Sequence, residues 1–229
     1  FGVHLDEGCC NLMVLDLKRR DLAQKTIPCD TGNPKTTIRA LVDVIEETIS
    51  ELSIERHKIW GIGLVLPAFG SDVYDFDFSL SHWESWRNVD FAKLLQEQTG
   101  ISVLAENDAT AAAVGERMHR PEAVESSFVY FFVSNGIGAG LIIDGYPFKG
   151  FGGNAGEIGF LPLAGLGASP TWQDDPKLAD QPSNGLLSLQ AMSQACGFGS
   201  TVPPHSEFLQ RLEMRDAQLM SWIARASQV

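Results

Sequence analysis

One stretch decides the fold of this chain: FVYFFVSNGIGAGLIIDGYPFKGFGGNAGEIGFLPL, at residues Phe128–Leu163. Its first six residues, Phe128–Val133, are all apolar and rich in strand-forming types, so they predict a buried strand. A second strand is predicted over Gly138–Ile143, and the Asp144-Gly145 pair after it is typical of a two-residue hairpin turn. The stretch therefore predicts an antiparallel hairpin with a third, returning strand.

A glycine-rich segment, GFGGNAGEIG, follows the hairpin at residues 150–159. Five glycines in ten residues argue against any regular element and allow positive φ angles or a close approach of the backbone to a ligand. The one acid of the segment, Glu157, is a candidate ligand contact. A solvated glutamate in an ordinary hairpin connection explains the pattern equally well, because isolated glycine motifs have low specificity.

Four motifs resemble those of the ROK family, which comprises repressors, open reading frames and sugar kinases. They are GIGLVLP at residues 61–67, ENDA at 106–109, NGIGAG at 135–140 and NAGEIG at 154–159. The motifs occur in the family's order, and the likeness extends over residues 1–195. This resemblance implies an α/β protein with the actin-like ATPase (ribonuclease-H-like) fold, in which two α/β halves enclose a ligand cleft.

Hydrophobic periodicity predicts alternating strands and helices before the deciding stretch. We assign residues 1–122 to the first half and residues 123–229 to the second, and the resemblance implies that the second half is truncated at its C-terminus. A single long helix is predicted near the end, over Glu207–Ala226. The other predicted elements are strands Gly2–Leu5, Asn11–Leu17, Ile27–Asn33, Ile59–Leu66 and Val103–Ala105, and helices Thr36–Leu52, Val89–Thr99, Ala109–His119 and Leu186–Ala195.

Composition narrows the classes of function. A net charge of −12 and a pI near 4.7 argue against direct binding to nucleic acid, which needs clusters of Lys and Arg. No apolar run reaches the ~20 residues of a membrane-spanning helix, so we expect no membrane contact. The cysteines show no metal-binding spacing, which favours free thiols in a cytoplasmic protein. They are Cys9, Cys10, Cys29 and Cys196.

Two family motifs are altered. The family's kinases carry Asp-x-Gly-Gly-Thr-Lys at the first hairpin turn, where this chain has DEGCC at residues 6–10. Glu7 would repel a polyphosphate, so the turn predicts loss of ATP binding and an ordinary hairpin. The zinc ligands of the family align with Phe160, Ala179, Gln181 and Leu186, none of which binds zinc. We therefore expect no metal and no cofactor.

The resemblance also implies a sugar site. Asp108 occupies the position of the kinases' catalytic base, and Asn107 that of a contact to neighbouring hydroxyls. Both residues are also favoured helix N-caps, so a purely structural role remains open. A second family sugar contact, a glutamate, aligns with Ser188. The predicted sugar-binding residues are Asn107, Asp108, Gly153, Gly156, Glu157 and Phe160.

Three functions fit these observations. We favour the sugar-effector-binding domain of a ROK-type transcriptional regulator similar to the N-acetylglucosamine and xylose repressors, without catalytic activity. Its partners would be a monosaccharide, DNA through an N-terminal winged-helix domain outside this sequence, and further copies in a homodimer or homotetramer. The alternatives are a degenerate domain of the same family that binds no sugar, and an ATP-dependent sugar kinase.

Overall fold

The computed structural model describes residues 1–6, 8–30, 32–67, 84–86, 89–120, 126–134, 136–161, 187–199, 202–203 and 205–226. The chain divides into two compact units, Phe1–Ala111 and Ala112–Val229. None of the helices in these described ranges is long and apolar enough to cross a membrane.

The first unit is built on a five-stranded mixed sheet with the order β3-β2-β1-β4-β5. Strands β1, β2 and β3 are antiparallel neighbours, whereas β4 runs parallel to both β1 and β5. Parallel neighbours need a crossover, which the helices supply. The strands are β1 Gly2–Asp6, β2 Cys9–Leu15, β3 Asp21–Pro28, β4 Ile62–Leu66 and β5 Val103–Asn107.

Two helices, α1 at Pro34–Glu51 and α2 at Phe91–Thr99, pack with this sheet around the main apolar core. Helix α1 begins where the Asn33 side chain accepts hydrogen bonds from two backbone N–H groups and Pro34 occupies the first turn, both favoured there. Helix α2 ends at Gly100, which adopts a left-handed conformation. Core residues shared by these elements include Val3, Leu5, Leu12, Leu41, Ile45, Leu64 and Leu95.

The second unit contains a three-stranded antiparallel sheet of order β6-β7-β8, from Phe128–Val133, Ile137–Ile143 and Tyr146–Pro147. Asp144 and Gly145 both have positive φ angles, as the predicted type of hairpin turn requires. Strand β6 is not buried on both faces, since Val129, Phe131 and Val133 are at least half exposed. An unbroken apolar run does not show how many faces of a strand are covered.

Within the described ranges the remaining helices are α3 at Asp108–His119, α4 at Leu189–Ala195, α5 at His205–Glu213 and α6 at Ala217–Ala226. The prediction of one helix over Glu207–Ala226 is therefore wrong. Arg215 takes a positive φ angle, and the Asp216 carboxylate accepts hydrogen bonds from the N–H groups of Gln218 and Leu219. An aspartate in this position begins a new helix.

The third strand also lies earlier than predicted. It covers Asp21–Pro28 and pairs with β2 from Leu15 back to Cys9, whereas the prediction was Ile27–Asn33. Polar residues such as Gln24 and Lys25 do not by themselves predict a strand. They lie in β3 because their backbones pair with β2. Asn33 is the N-cap of α1, so it belongs to the helix start.

Candidate functional site

The junction between β5 and α3 holds the first pair of predicted site residues. Asn107 is the last residue of β5 and Asp108 the first of α3, and both are partly buried. The Asn107 Oδ1 atom accepts a hydrogen bond from the Thr110 N–H at 3.1 Å, and the Asp108 Oδ1 atom accepts one from the Ala109 N–H at 2.7 Å. The capping role expected for these residues is thus present at the carboxyl end of a parallel strand, a usual ligand-binding position in α/β proteins.

Capping does not use every polar group at this junction. The Glu106 carboxylate accepts the Asn107 N–H at 3.1 Å, so three consecutive polar side chains surround the start of α3. Among the described residues, no hydrogen bond is made by the Asn107 Nδ2 group. That amide remains a donor for a ligand oxygen.

The glycine-rich loop after β8 is held against β7 by its backbone. The Ala139 N–H of β7 donates to the Gly156 carbonyl at 2.8 Å, and the Ala155 N–H donates to the Lys149 carbonyl at 3.0 Å. Gly156 has a φ of 96°, and a Cβ added there would lie 1.8 Å from the Ala139 carbonyl oxygen. Only glycine fits this position, because a side chain would overlap the neighbouring strand.

A short 3₁₀ turn at Ile158–Phe160 follows, directly after Glu157, so this loop contains more regular structure than its glycine content predicted. The Phe160 N–H donates to the Glu157 carbonyl at 3.4 Å, so the backbones of these two residues meet across the turn. The Phe160 ring is 49% exposed, while the Glu157 side chain is partly buried. The loop therefore carries a partly buried carboxylate and, three residues later, an exposed aromatic ring.

Burial raises the pKa of the Glu157 carboxyl above its ordinary value. Within the described part of the chain, no hydrogen-bond donor or cation contacts this carboxylate. A partly desolvated carboxylate without donors is unfavourable in the folded protein, and a ligand that brings hydroxyl groups would relieve this cost. Perturbed acids of this kind are more frequent at functional sites than elsewhere.

Sequence reasoning did not select Asn154. Its backbone carbonyl accepts the Glu157 N–H at 3.3 Å, and its buried Nδ2 atom has no hydrogen-bond partner within the part of the chain that the structure describes. Such buried donors are rare in native proteins and need an explanation. The only signal in the sequence is its position three residues before Glu157 in the NAGEIG motif.

The predicted residues thus form two local groups. Asn107 and Asp108 share the β5–α3 junction, whereas Gly153, Gly156, Glu157 and Phe160 share one loop of the second unit. Ser188, which aligns with a family sugar contact, is buried and accepts the Ala191 N–H at 3.1 Å as the N-cap of α4. Other predicted positions lie outside the described residues, namely Glu7, Ala179, Gln181 and Leu186.

The first hairpin turn, where the family's kinases bind ATP phosphates, connects β1 and β2. Gly8 has a φ of 77°, and its carbonyl accepts the Cys29 N–H at 3.1 Å. Cys10 follows in β2 and is fully buried, and this burial raises the pKa of its thiol to about 12. Strands β1 and β2 pair up to the turn, from Gly2 with Met13 to Asp6 with Cys9, whereas the prediction of an ordinary turn depends on Glu7, which lies outside the described residues.

No group of three or more His, Cys, Asp or Glu side chains suited to a metal ion occurs in the ranges that the structure describes. Phe160, at the position of the family's zinc-binding histidine, has no ligand atom. The absence of zinc from the whole chain stays a prediction, because three of the aligned positions fall outside those ranges.

Comparison with known proteins agrees with this architecture. The sequence model of the ROK family matches residues 2–200. The xylose repressor of Bacillus subtilis (strain 168) is 26% identical over 165 residues, which cover 71% of this chain and 42% of the repressor. The chain therefore spans less than half the length of this curated relative.

Solved structures of the same family superpose on the chain. A ROK hexokinase from Thermus thermophilus gives a TM-score of 0.66 at 24% identity, covering 98% of this chain and 72% of the hexokinase. A ROK family transcriptional regulator, a homolog of the E. coli MLC protein, gives 0.63 at 19% identity, covering 86% of this chain and 48% of the regulator. The chain belongs to the ROK family and has the actin-like ATPase fold of its sugar kinases.

Proposed function

We propose that this chain is the sugar-effector-binding domain of a ROK-type transcriptional regulator and that it has no phosphotransferase activity. The observation that carries the proposal is the partly buried Glu157 carboxylate, which no donor or cation among the described residues contacts, on the loop that also carries the exposed Phe160. A sugar offers hydroxyl donors to a carboxylate and an apolar ring face to an aromatic side chain. Similarity to a xylose repressor supports the regulatory role.

The sugar contacts in this proposal are Asn107, Asp108 and Glu157, with backbone N–H groups of Gly153 and Gly156. A hydrogen bond to a charged acceptor contributes about 1.5–3 kcal/mol, so the two carboxylates carry most of the polar affinity. Phe160 stands where the family's kinases have a histidine, so it favours an effector with an apolar group or a missing hydroxyl at that point. Phe160 stacks on the apolar face of the sugar.

Kinase activity is the second candidate, supported by Asp108 at the position of the catalytic base and by the likeness to a hexokinase. We reject it on the first hairpin turn. A phosphate-binding turn needs small residues whose backbone N–H groups face the phosphates, together with a cation. This chain has Cys9, Cys10 and Asn11 where the family's kinases carry Gly, Thr and Lys, so these positions supply no cation.

A direct binding experiment tests the proposal. Calorimetry on the full-length protein with xylose, glucose and N-acetylglucosamine should show binding of at least one sugar. Asp108→Asn should weaken that binding about tenfold or more, since it removes the charged acceptor. It retains an oxygen for the Ala109 N–H, so stability should fall only by the loss of charge at a helix N-terminus, about 0.3–1 kcal/mol.

Asp90→Asn is the matched control. Asp90 caps α2 and accepts the Lys93 N–H at 3.0 Å, so the same charge is removed at another helix start outside the proposed site. Its sugar affinity should equal that of the wild type. If Asp90→Asn and Asp108→Asn lower affinity equally, Asp108 does not contact the sugar.

A double-mutant cycle asks whether Asp108 and Glu157 bind the same molecule. The losses from Asp108→Asn and Glu157→Gln should be non-additive if both carboxylates contact one sugar. Turnover of ATP with any of the three sugars at ordinary kinase rates, ~1–100 per second, would establish the kinase alternative. Failure of all three sugars to bind at millimolar concentration would favour a degenerate domain.

A further inference from the structure

We propose that Asn154 is a positioning residue for Glu157 and that the two side chains exchange between two arrangements of one turn. In the open arrangement, which this structure shows, the Asn154 amide and the Glu157 carboxylate are not hydrogen-bonded to each other. In the closed arrangement the amide donates a hydrogen bond to the carboxylate, and a ligand of Glu157 competes with it. The competition rests on the proposed function, whereas the closed arrangement does not.

One tight turn connects the two residues. The Glu157 N–H donates to the Asn154 carbonyl at 3.3 Å, and Gly156 between them has a φ of 96°. A hydrogen bond from the fourth residue to the first and a positive φ at the third are features of a type II β-turn, whose first and fourth Cα atoms lie less than about 7 Å apart. Asparagine and glutamate side chains both extend far enough to meet over this distance by a change of rotamer.

The two side chains have complementary unused groups. The buried Nδ2 atom of Asn154 donates to no atom of the described residues. Within the same ranges, the partly buried Glu157 carboxylate accepts from no donor. Burying either group without a partner is unfavourable. Because the unused donor and the unused acceptor lie at the two ends of one turn, a single hydrogen bond between them satisfies both.

The backbone of the turn is held in place while the side chains exchange. The Ala139 N–H of β7 donates to the Gly156 carbonyl at 2.8 Å, and the Ala155 N–H donates to the Lys149 carbonyl at 3.0 Å. These two bonds fix the central residues of the turn, so the exchange needs only rotation about side-chain bonds. The carboxylate is available to a ligand in the open arrangement and occupied by the amide in the closed one.

The closed arrangement has a measurable effect on the acidity of Glu157. Burial raises the pKa of its carboxyl, and a hydrogen bond donated to the charged form lowers that pKa. The amide of Asn154 therefore offsets part of the rise. The other charged residues between 126 and 161 are Asp144, in the hairpin turn, and Lys149, and both are retained in the variants below.

Titration of Glu157 by carboxyl NMR in the full-length protein tests the inference. Asn154→Ala removes the amide and should raise the pKa of Glu157 by at least about 0.5. Loosening of the loop alone would expose the carboxylate and move its pKa down toward 4.5, the ordinary value. The sign of the change therefore separates a hydrogen bond from a merely structural role. Asn154→Gln retains an amide and should restore a pKa close to that of the wild type.

The wild type supplies a second measurement that needs no variant. The side-chain NH₂ resonances of Asn154 should shift with pH and follow the same midpoint as the Glu157 carboxyl, because the amide loses its charged acceptor when the carboxylate is protonated. Resonances that do not follow Glu157 would overturn the inference even if Asn154→Ala failed to fold.

Calorimetry with xylose, glucose and N-acetylglucosamine tests the competition. Removal of the amide leaves Glu157 always available, so Asn154→Ala should bind the effector about two- to fivefold more tightly than the wild type does. Weaker binding by Asn154→Ala would show that the amide contacts the ligand, and it would overturn the competition.

The outcomes distinguish this inference from the proposed function. A pKa of Glu157 that is unchanged or lower in Asn154→Ala overturns the inference and leaves the sugar-sensing proposal intact. A raised pKa with no binding of any of the three sugars supports the closed arrangement and overturns both the competition and the proposed function.

Discussion

Substituting Gly156 with alanine tests how β7 positions the glycine-rich loop. The residue has a φ of 96°, and its carbonyl accepts the Ala139 N–H at 2.8 Å. A Cβ at this position would lie 1.8 Å from the Ala139 carbonyl oxygen, a separation that no rotamer can relieve, because the backbone alone fixes the position of a Cβ. The loop must therefore move away from β7 before alanine can be accommodated.

Two terms set the size of the effect. An alanine with a positive φ angle costs about 1–2 kcal/mol. Moving the loop also breaks the Ala139–Gly156 hydrogen bond, and Ala139 is only 3% exposed, so a buried N–H loses its partner at about 1–3 kcal/mol. Gly156→Ala should thus destabilise the second unit by about 2–5 kcal/mol, the sum of these terms.

Gly153→Ala is the matched control for stability. Gly153 has a φ of 79° in the same loop, but a Cβ there meets no atom within 4 Å. Gly153→Ala should therefore lower stability only by the cost of a positive φ angle for alanine, about 1–2 kcal/mol. Because 1 kcal/mol changes Tm by roughly 2–4 °C in a chain of this size, the two variants should differ by about 2–12 °C.

Thermal unfolding followed by circular dichroism measures the difference in stability between the two variants. Calorimetry with the effector measures whether the sugar affinity falls when Glu157 moves with the loop. Displacement of the loop in Gly156→Ala should move Glu157, the next residue, and lower sugar affinity by about tenfold or more. Equal Tm values for the two alanine variants would refute the argument, since they would show that the contact with Ala139 does not hold the loop.

Three further predictions concern other parts of the chain. Leu64→Ala should lower the free energy of unfolding by about 2–5 kcal/mol in denaturant titrations, because Leu64 is fully buried. Leu104 on neighbouring β5 is 78% exposed, so Leu104→Ala should change the free energy of unfolding by at most about 0.5 kcal/mol. Burial raises the pKa of Glu157 above its ordinary value of 4.5, so the folded chain binds that proton more tightly, and the stability contributed by this group falls as pH rises from 4.5 through the folded pKa. Glu157→Gln should therefore raise Tm at pH 7, and this gain should disappear below pH 4.5; a gain that is constant from pH 4 to 8 would contradict the argument. Asp216→Ala should cost about 1 kcal/mol by removing the cap of α6, and no change in Tm would show that α6 does not depend on it.

Local sequence signals were sufficient for the elements whose structure depends on neighbouring residues. The Asp144-Gly145 turn and the strands on either side of it follow from short-range preferences, and so does the helix predicted over Thr36–Leu52, although its start at Pro34 was missed. Such preferences are strong where a turn needs positive φ angles or a helix needs a cap. The order of motifs along the chain was equally informative, and it identified the family correctly.

Elements that depend on distant partners were not determined by the sequence alone. The position of β3 is set by its pairing with β2, and the exposed face of β6 follows from which side of its sheet is covered. Both depend on contacts between residues far apart in sequence, for which a local apolar or polar pattern carries no information.

The site shows the same division. From the sequence, the resemblance to the ROK family predicted Asn107, Asp108 and Glu157 as sugar contacts, and the glycine content predicted unusual backbone geometry around Glu157. Only the tertiary structure shows that Gly156 lies against Ala139, that Glu157 is partly buried, and that the Asn154 amide is buried with no hydrogen-bond partner among the described residues. These properties arise from burial and close packing, which are set by the surrounding fold and not by the residues that carry them.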